Sequence, residues 1–176
     1  MFKWTRSDVI VLPLVLLGLV LLALAARFLL RKKEGWIKRI PLILISLLVL
    51  GLEIAKQSLY AGKPDFNFYV LPLHFCSLFV VLFPLSQLLG ERVGNVFKPM
   101  AFCYAVAVTA LTYANPLGLI GTSTGDVFGS FHNFHTFFFH HAVIAYMIFT
   151  IALNDYKPKF RDCINVVGGV VLYVCC

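Results

Sequence analysis

The chain has 176 residues, of which 60% are hydrophobic and 13% are charged, and its mean hydropathy is +0.88. A soluble domain of this length does not need so much apolar surface, so the composition predicts an all-α, polytopic membrane protein. The formal net charge is +7, but the positive residues lie between apolar segments and not along one helix face. This pattern argues against nucleic-acid binding and is typical of membrane topology signals.

Five apolar segments are long enough to cross a bilayer as helices, because a span needs about 20 residues at a rise of about 1.5 Å each. The predicted spans are residues 9–30, 40–60, 70–90, 99–115 and 132–153. A sixth apolar segment, 163–176, is too short to cross, and we expect a truncated sixth helix there. Residues 1–176 are therefore predicted to form a single transmembrane domain.

The first apolar segment has an alternative interpretation as a cleaved signal peptide. Lys3 and Arg6 give it a basic start, and residues 23–25 (Ala-Leu-Ala) have the small-x-small form of a cleavage site. The segment is long for that role, however, and cleavage would leave the basic stretch 31–39 outside the cell. We therefore favour a first membrane span.

The distribution of positive charge predicts the orientation. Ten of the 15 Lys and Arg residues lie after the first, third and fifth spans. Only three lie in the N-terminal segment and after the second and fourth spans. Since basic loops face the cytoplasm, this asymmetry puts the N-terminus outside and predicts a multi-pass protein of the plasma membrane.

The second span contains two charged residues, Glu53 and Lys56. Their i, i+3 spacing places them on one helix face, where they can pair. We interpret them as a structural ion pair near the helix end, with Lys56 reaching toward the outer surface. A role in proton or substrate handling is the alternative.

Histidine and cysteine residues are the candidates for chemistry. With the predicted orientation, all five histidines lie in the outer half of the membrane or at its edge: His74, His132, His135, His140 and His141. On an ideal fifth helix, His132, His135 and His140 fall within roughly 140° of arc, whereas His141 points away from His132. The five cysteines contain no Cys-x-x-Cys pair, so neither a disulfide framework nor a zinc ribbon is indicated.

Cys76 lies near the start of the third span, two residues after His74. Residues two apart on a helix point about 200° from each other, so a base for Cys76 is expected from another helix. A neighbouring imidazole or a helix N-terminus favours the nucleophilic thiolate, which at the acyl-chain boundary suits transfer or cleavage of a lipid ester. A metal site formed by Cys76 and the histidines is the less favoured alternative, because the spacing matches no zinc motif.

Two short motifs resemble a known family. Leu71–Cys76 (Leu-Pro-Leu-His-Phe-Cys) resembles a signature of the YwaF-type bacterial integral membrane proteins, and Phe137–Ile144 (Phe-Phe-Phe-His-His-Ala-Val-Ile) resembles the second signature of that family. The family is similar to eukaryotic transmembrane protein 164, a membrane acyltransferase that moves fatty acyl groups between phospholipids. Relatives normally continue past residue 176 with a complete sixth helix.

The resemblance implies roles for four residues. Cys76 is the implied acyl-accepting nucleophile, and a histidine of the fifth span is the implied base. His141 is the first choice for that base and His140 is a near equal. His74 matches the motif without an assigned role, and a structural or oxyanion-side role is open to it. The resemblance implies membrane lipids as partners and a phospholipid as substrate.

Three hypotheses follow. The first is a thiol-dependent lipid acyltransferase or lipid esterase with its site in the outer half of the membrane. The second is a small-molecule or lipid transporter without covalent chemistry, supported by Glu53, a kink expected at Pro84 and the glycine-rich segment 116–131. The third is a structural subunit. No nucleotide, haem or flavin motif is present in the sequence, so no cofactor and no metal are predicted.

Overall fold

The computed structural model of the protein describes residues 4–61, 75–116 and 123–175. Within these ranges the chain is helical and contains no strand. The helices are α1 (Arg6–Leu30), α2 (Trp36–Tyr60), α3 (Leu78–Leu88), α4 (Gly90–Ala114), α5 (Phe131–Ala152) and α6 (Cys163–Cys175). Short 3₁₀ turns lie at Phe75–Ser77, Thr124–Asp126 and Phe160–Asp162. The predicted all-α architecture is confirmed for the described residues.

Among the helices that the structure describes, α1, α4 and α5 are long and apolar enough to cross a membrane. The chain is therefore treated as a multi-pass membrane protein. The count of five full spans and the outside position of the N-terminus stay predictions. The α2 helix has the same length as α1 and α4, and it carries the predicted second span together with four charged side chains.

The α5 helix lies at the centre of the bundle, packed against α1, α2 and α4. Tyr146 connects it to α3, because its ring stacks on Phe83 with centroids 3.8 Å apart and its hydroxyl lies 2.7 Å from Ser86 Oγ. By contrast, α1 leaves most of its leucine side chains exposed. Such a surface suits contact with lipid acyl chains, where apolar side chains need no cover from protein.

The connection between α3 and α4 differs from the prediction. Residues 91–98, which separate the predicted third and fourth spans, belong to α4, and Pro99 lies inside this helix and not at its start. Gly90 has a φ of +73°, which permits a tight turn directly after α3. Gly94 then lies so close to α3 that a Cβ there would be 2.6 Å from the Ser86 carbonyl oxygen. The charged residues within 91–98 suggest a loop in the sequence. The packing of this segment against α3, which the sequence does not show, accompanies its helical conformation.

A buried ionic network closes the end of the bundle where α4 begins and α5 ends. Lys98 Nζ lies 2.8 Å from Asp155 Oδ2 and 2.9 Å from Oδ1, and the two side chains are only 4% and 7% exposed. Gln87 Nε2 donates to Asp155 Oδ2 at 3.2 Å, and Arg39 Nε lies 3.4 Å from Oδ1. The network therefore joins α2, α3 and α4 to the segment after α5.

At the opposite end, Asp8 fastens the start of α1 to the turn before α5. Asp8 Oδ2 accepts a hydrogen bond from the Thr5 backbone N–H at 2.8 Å, and Oδ1 accepts one from the Thr124 N–H at 2.9 Å. The hydroxyls of Thr5, Ser7 and Ser123 lie 2.8–2.9 Å from one another. One buried carboxylate thus caps α1 and holds the 3₁₀ turn Thr124–Asp126 in place.

The short α6 helix packs against α4. Tyr104 Oη donates to the Val166 carbonyl oxygen at 2.6 Å. Gly169 approaches α4 so closely that a Cβ would contact the Met100 side chain and lie 2.6 Å from Tyr104 Oη. Residues 163–175 therefore form a helix in the region expected for a partial sixth helix, and a glycine makes its close packing sterically feasible.

Candidate functional site

Cys76 lies in the 3₁₀ turn Phe75–Ser77, directly before α3. Its side chain is half-buried and packs against the main apolar cluster, which includes Phe79 and Phe139. The predicted residue His74 lies outside the described residues.

His140 and His141 are both buried in the middle of α5, with exposures of 6% and 5%. His140 Nδ1 lies 2.7 Å from the Thr136 carbonyl oxygen, and His141 Nδ1 lies 2.8 Å from that of Phe137. Because a carbonyl oxygen only accepts hydrogen bonds, each Nδ1 must carry the proton. In the neutral ring, Nε2 then carries the lone pair, as a general base requires.

Neither Nε2 atom has a hydrogen-bond partner among the described residues, although both atoms are buried. An unsatisfied buried polar atom costs about 1–3 kcal/mol, so native structures keep few of them. Two such atoms on adjacent residues mark this part of α5 as a candidate site.

The two histidines face different neighbours, since successive residues on a helix point about 100° apart. The His141 ring packs on Phe137 with centroids 4.1 Å apart, and Phe137 belongs to a second apolar cluster that includes Leu12 of α1. The His140 ring meets Phe139 edge-on at 6.0 Å. Within the described residues, no hydrogen bond joins Cys76 to either ring. The choice of base, and its pairing with Cys76, stay predictions.

A second polar cluster lies between α2 and α5. Lys56 Nζ is 2.7 Å from Glu53 Oε1, so the ion pair expected from the i, i+3 spacing forms. Gln57 Nε2 donates to the same oxygen at 2.7 Å. Lys56 does not reach the surface as expected, because its side chain is only 9% exposed and its ammonium is held by the buried carboxylate.

His135 of α5 completes this cluster. Its Nε2 lies 3.4 Å from Glu53 Oε2, and both atoms are buried without a hydrogen-bond partner in the part of the chain that the structure describes. The His135 ring also stacks on Phe139 with centroids 5.4 Å apart. The sequence predicts that His135 lies in the outer half of the membrane, but it does not show that α2 and α5 are neighbours.

The described residues include no group of three or more His, Cys, Asp and Glu side chains arranged to hold a metal ion.

Comparison with known proteins adds one finding. The chain matches the model of the TMEM164 family over residues 1–176. No curated protein and no solved structure matches it. The family match supports the expected similarity to transmembrane protein 164, while the YwaF-type bacterial class stays a prediction. The chain therefore belongs to the TMEM164 family.

Proposed function

We propose that this protein is a thiol-dependent phospholipid acyltransferase or lipid esterase of the plasma membrane, with its site in the outer half. The proposal rests on the tautomer and the hydrogen bonding of the His140 and His141 rings. Each ring is buried, holds its proton on Nδ1 and keeps an unpartnered Nε2. An imidazole in this state is prepared to accept a proton from a nucleophile.

In the proposed first step, Nε2 of His141 or His140 takes the proton of the Cys76 thiol. The thiolate attacks the carbonyl carbon of a lipid ester, so that a C–S bond forms and the ester C–O bond breaks. The imidazolium then gives the proton to the departing alkoxide. The hydrogen bond from Nδ1 to a backbone carbonyl strengthens when the ring is charged, and it thereby stabilises the imidazolium.

The second step distinguishes the two reaction types. Transfer of the acyl group from Cys76 to the hydroxyl of a second lipid makes the protein an acyltransferase, and transfer to water makes it an esterase. The histidines lie among phenylalanine rings, with Phe137 and Phe139 only 6% and 3% exposed. Such apolar surroundings limit the access of water and therefore favour transfer to a lipid.

One observation favours transport as a second candidate function. Glu53, Lys56 and His135 form a buried cluster within predicted spans. Ionisable groups at such positions are costly and commonly mark ion or substrate pathways. A transporter is expected to tolerate Cys76→Ser and to fail with Glu53→Gln, whereas an acyl-enzyme requires Cys76.

An alkyne fatty-acyl probe applied to the purified protein in lipid nanodiscs tests the proposal. Labelling is expected in the wild type, to be absent in Cys76→Ala, and to be weaker in whichever of His141→Ala or His140→Ala removes the base. Cys103→Ala and Cys163→Ala are the matched cysteine controls and are expected to label normally. Labelling that is absent or equal in all variants would refute the thiol mechanism.

A further inference from the structure

The contact between Glu53 and His135 brings two buried polar atoms together at a distance that is long for a hydrogen bond. Glu53 Oε2 and His135 Nε2 are 3.4 Å apart. An N–H···O hydrogen bond normally measures about 2.7–3.2 Å, and both atoms lack a hydrogen-bond partner among the described residues. The side chains of Glu53 and His135 are only 5% and 7% exposed, so bulk water does not satisfy these atoms.

The other oxygen of Glu53 is already occupied. Oε1 lies 2.7 Å from Lys56 Nζ and accepts a hydrogen bond from Gln57 Nε2 at 2.7 Å. Lys56 therefore balances the charge of the carboxylate, and the lone pairs of Oε2 remain available to accept a hydrogen bond from another group. A cationic ligand would meet the nearby ammonium of Lys56, which disfavours it. A neutral hydroxyl fits better, because it can donate to Oε2 and accept a hydrogen bond from His135 Nε2 in the tautomer that carries the proton on that nitrogen.

This polar pair is connected to Cys76 through one apolar cluster. The His135 ring stacks on Phe139, which belongs to the cluster against which Cys76 packs. Leu52, the residue before Glu53, packs against the same cluster. The pair and the thiol therefore both border the same buried apolar cluster.

We propose that Glu53 and His135 form the acceptor subsite, which holds the hydroxyl of a lipid alcohol for acyl transfer from Cys76. This inference rests on the proposed function and concerns only its second step. The subsite also favours transferase over esterase activity, because it provides a defined place for an acceptor hydroxyl.

In this second step the hydroxyl donates to Glu53 Oε2 and accepts a hydrogen bond from His135 Nε2. Its oxygen attacks the thioester carbonyl carbon, the new C–O bond forms and the C–S bond breaks. The hydroxyl proton passes to the Glu53 carboxylate, and the Cys76 sulfur leaves as a thiolate. The proton then returns from Glu53 to the sulfur, which restores the thiol and the carboxylate.

The test separates the two half-reactions in nanodiscs that contain a phospholipid donor. Acyl-enzyme is first formed, and a lysophospholipid with one free hydroxyl is then added to discharge it. The variants are His135→Phe, which keeps an aromatic ring for stacking on Phe139, and Glu53→Gln. A double variant, Glu53→Gln with Lys56→Met, removes both charges in case Glu53→Gln alone fails to fold. His132→Phe, at an exposed position of α5, is the matched control.

We expect the subsite variants to form acyl-enzyme at the wild-type rate and to discharge it on the order of 100-fold more slowly, as for loss of general acid–base catalysis. His135→Gln, which restores an N–H donor, is expected to recover part of the discharge rate. Discharge at the wild-type rate in folded His135→Phe and in the double variant would overturn the acceptor subsite alone. A wild-type protein that forms no acyl-enzyme would overturn the proposed function and this inference together.

Discussion

Replacement of Asp155 by asparagine removes the negative charge of Asp155 from the buried network while it keeps the side-chain shape. The Lys98 side chain is 4% exposed and its ammonium lies 2.8 Å from Asp155 Oδ2, so water cannot solvate the charge that the substitution leaves behind. Removal of one partner of a buried ion pair costs about 3–5 kcal/mol, and we expect Asp155→Asn to lose about that much free energy of unfolding.

The pair of Arg39 and Glu91 provides an internal control. Its atoms are equally close, at 2.7 Å, but the Glu91 side chain is 75% exposed. Exposed pairs contribute about 0–1 kcal/mol, so Glu91→Gln is expected to cost little. Unfolding by SDS in mixed micelles, followed by circular dichroism, measures both variants. We also expect Lys98→Met combined with Asp155→Asn to recover part of the loss. An Asp155→Asn variant as stable as Glu91→Gln would refute this reasoning.

Three further predictions concern stability. Gly169→Ala is expected to cost about 1–3 kcal/mol by overpacking against α4, whereas Gly168→Ala, where a Cβ meets nothing within 4 Å, should be nearly neutral in the same unfolding assay. Asp8→Ala is expected to speed amide hydrogen exchange in residues 123–127, and unchanged exchange there would contradict its role as a clamp. Burial and a carboxylate neighbour raise the pKa of Tyr156, so the unfolded chain loses its phenol proton first. Stability should therefore fall as the pH rises above about 10, and less steeply in Tyr156→Phe.

Local patterns in the sequence predicted part of this structure. The apolar segments 9–30 and 132–153 correspond closely to α1 and α5, because a continuous apolar run sets the length of a helix. The spacing of Glu53 and Lys56 predicted their ion pair, because i, i+3 neighbours on a helix are close in space.

Contacts between distant segments could not be predicted in the same way. His135 meets Glu53 only because α5 packs against α2. Lys98 and Asp155 both lie between predicted apolar segments, where charged residues are normally solvated. The structure buries them together because α4 begins at Gly90, directly after α3. No pattern within either segment indicates this pairing.

The candidate site also combines features that the sequence predicts with features that only the structure shows. The sequence predicts that Cys76, His140 and His141 lie in the outer half of the membrane, and this position stays a prediction. The sequence does not show that the two histidines donate from Nδ1 to backbone carbonyls, because that depends on side-chain rotamers within α5. The tautomer of the two rings can therefore be assigned only from the structure.

Mass spectrometry of the protein after incubation with phospholipid shows directly whether Cys76 carries an acyl group. We predict a fatty acyl group on the peptide that contains Cys76, removable by neutral hydroxylamine as expected for a thioester, and absent from the peptides of Cys103 and Cys163. An unmodified Cys76 under conditions in which the protein turns over lipid esters, or acylation that continues in Cys76→Ala, would contradict it.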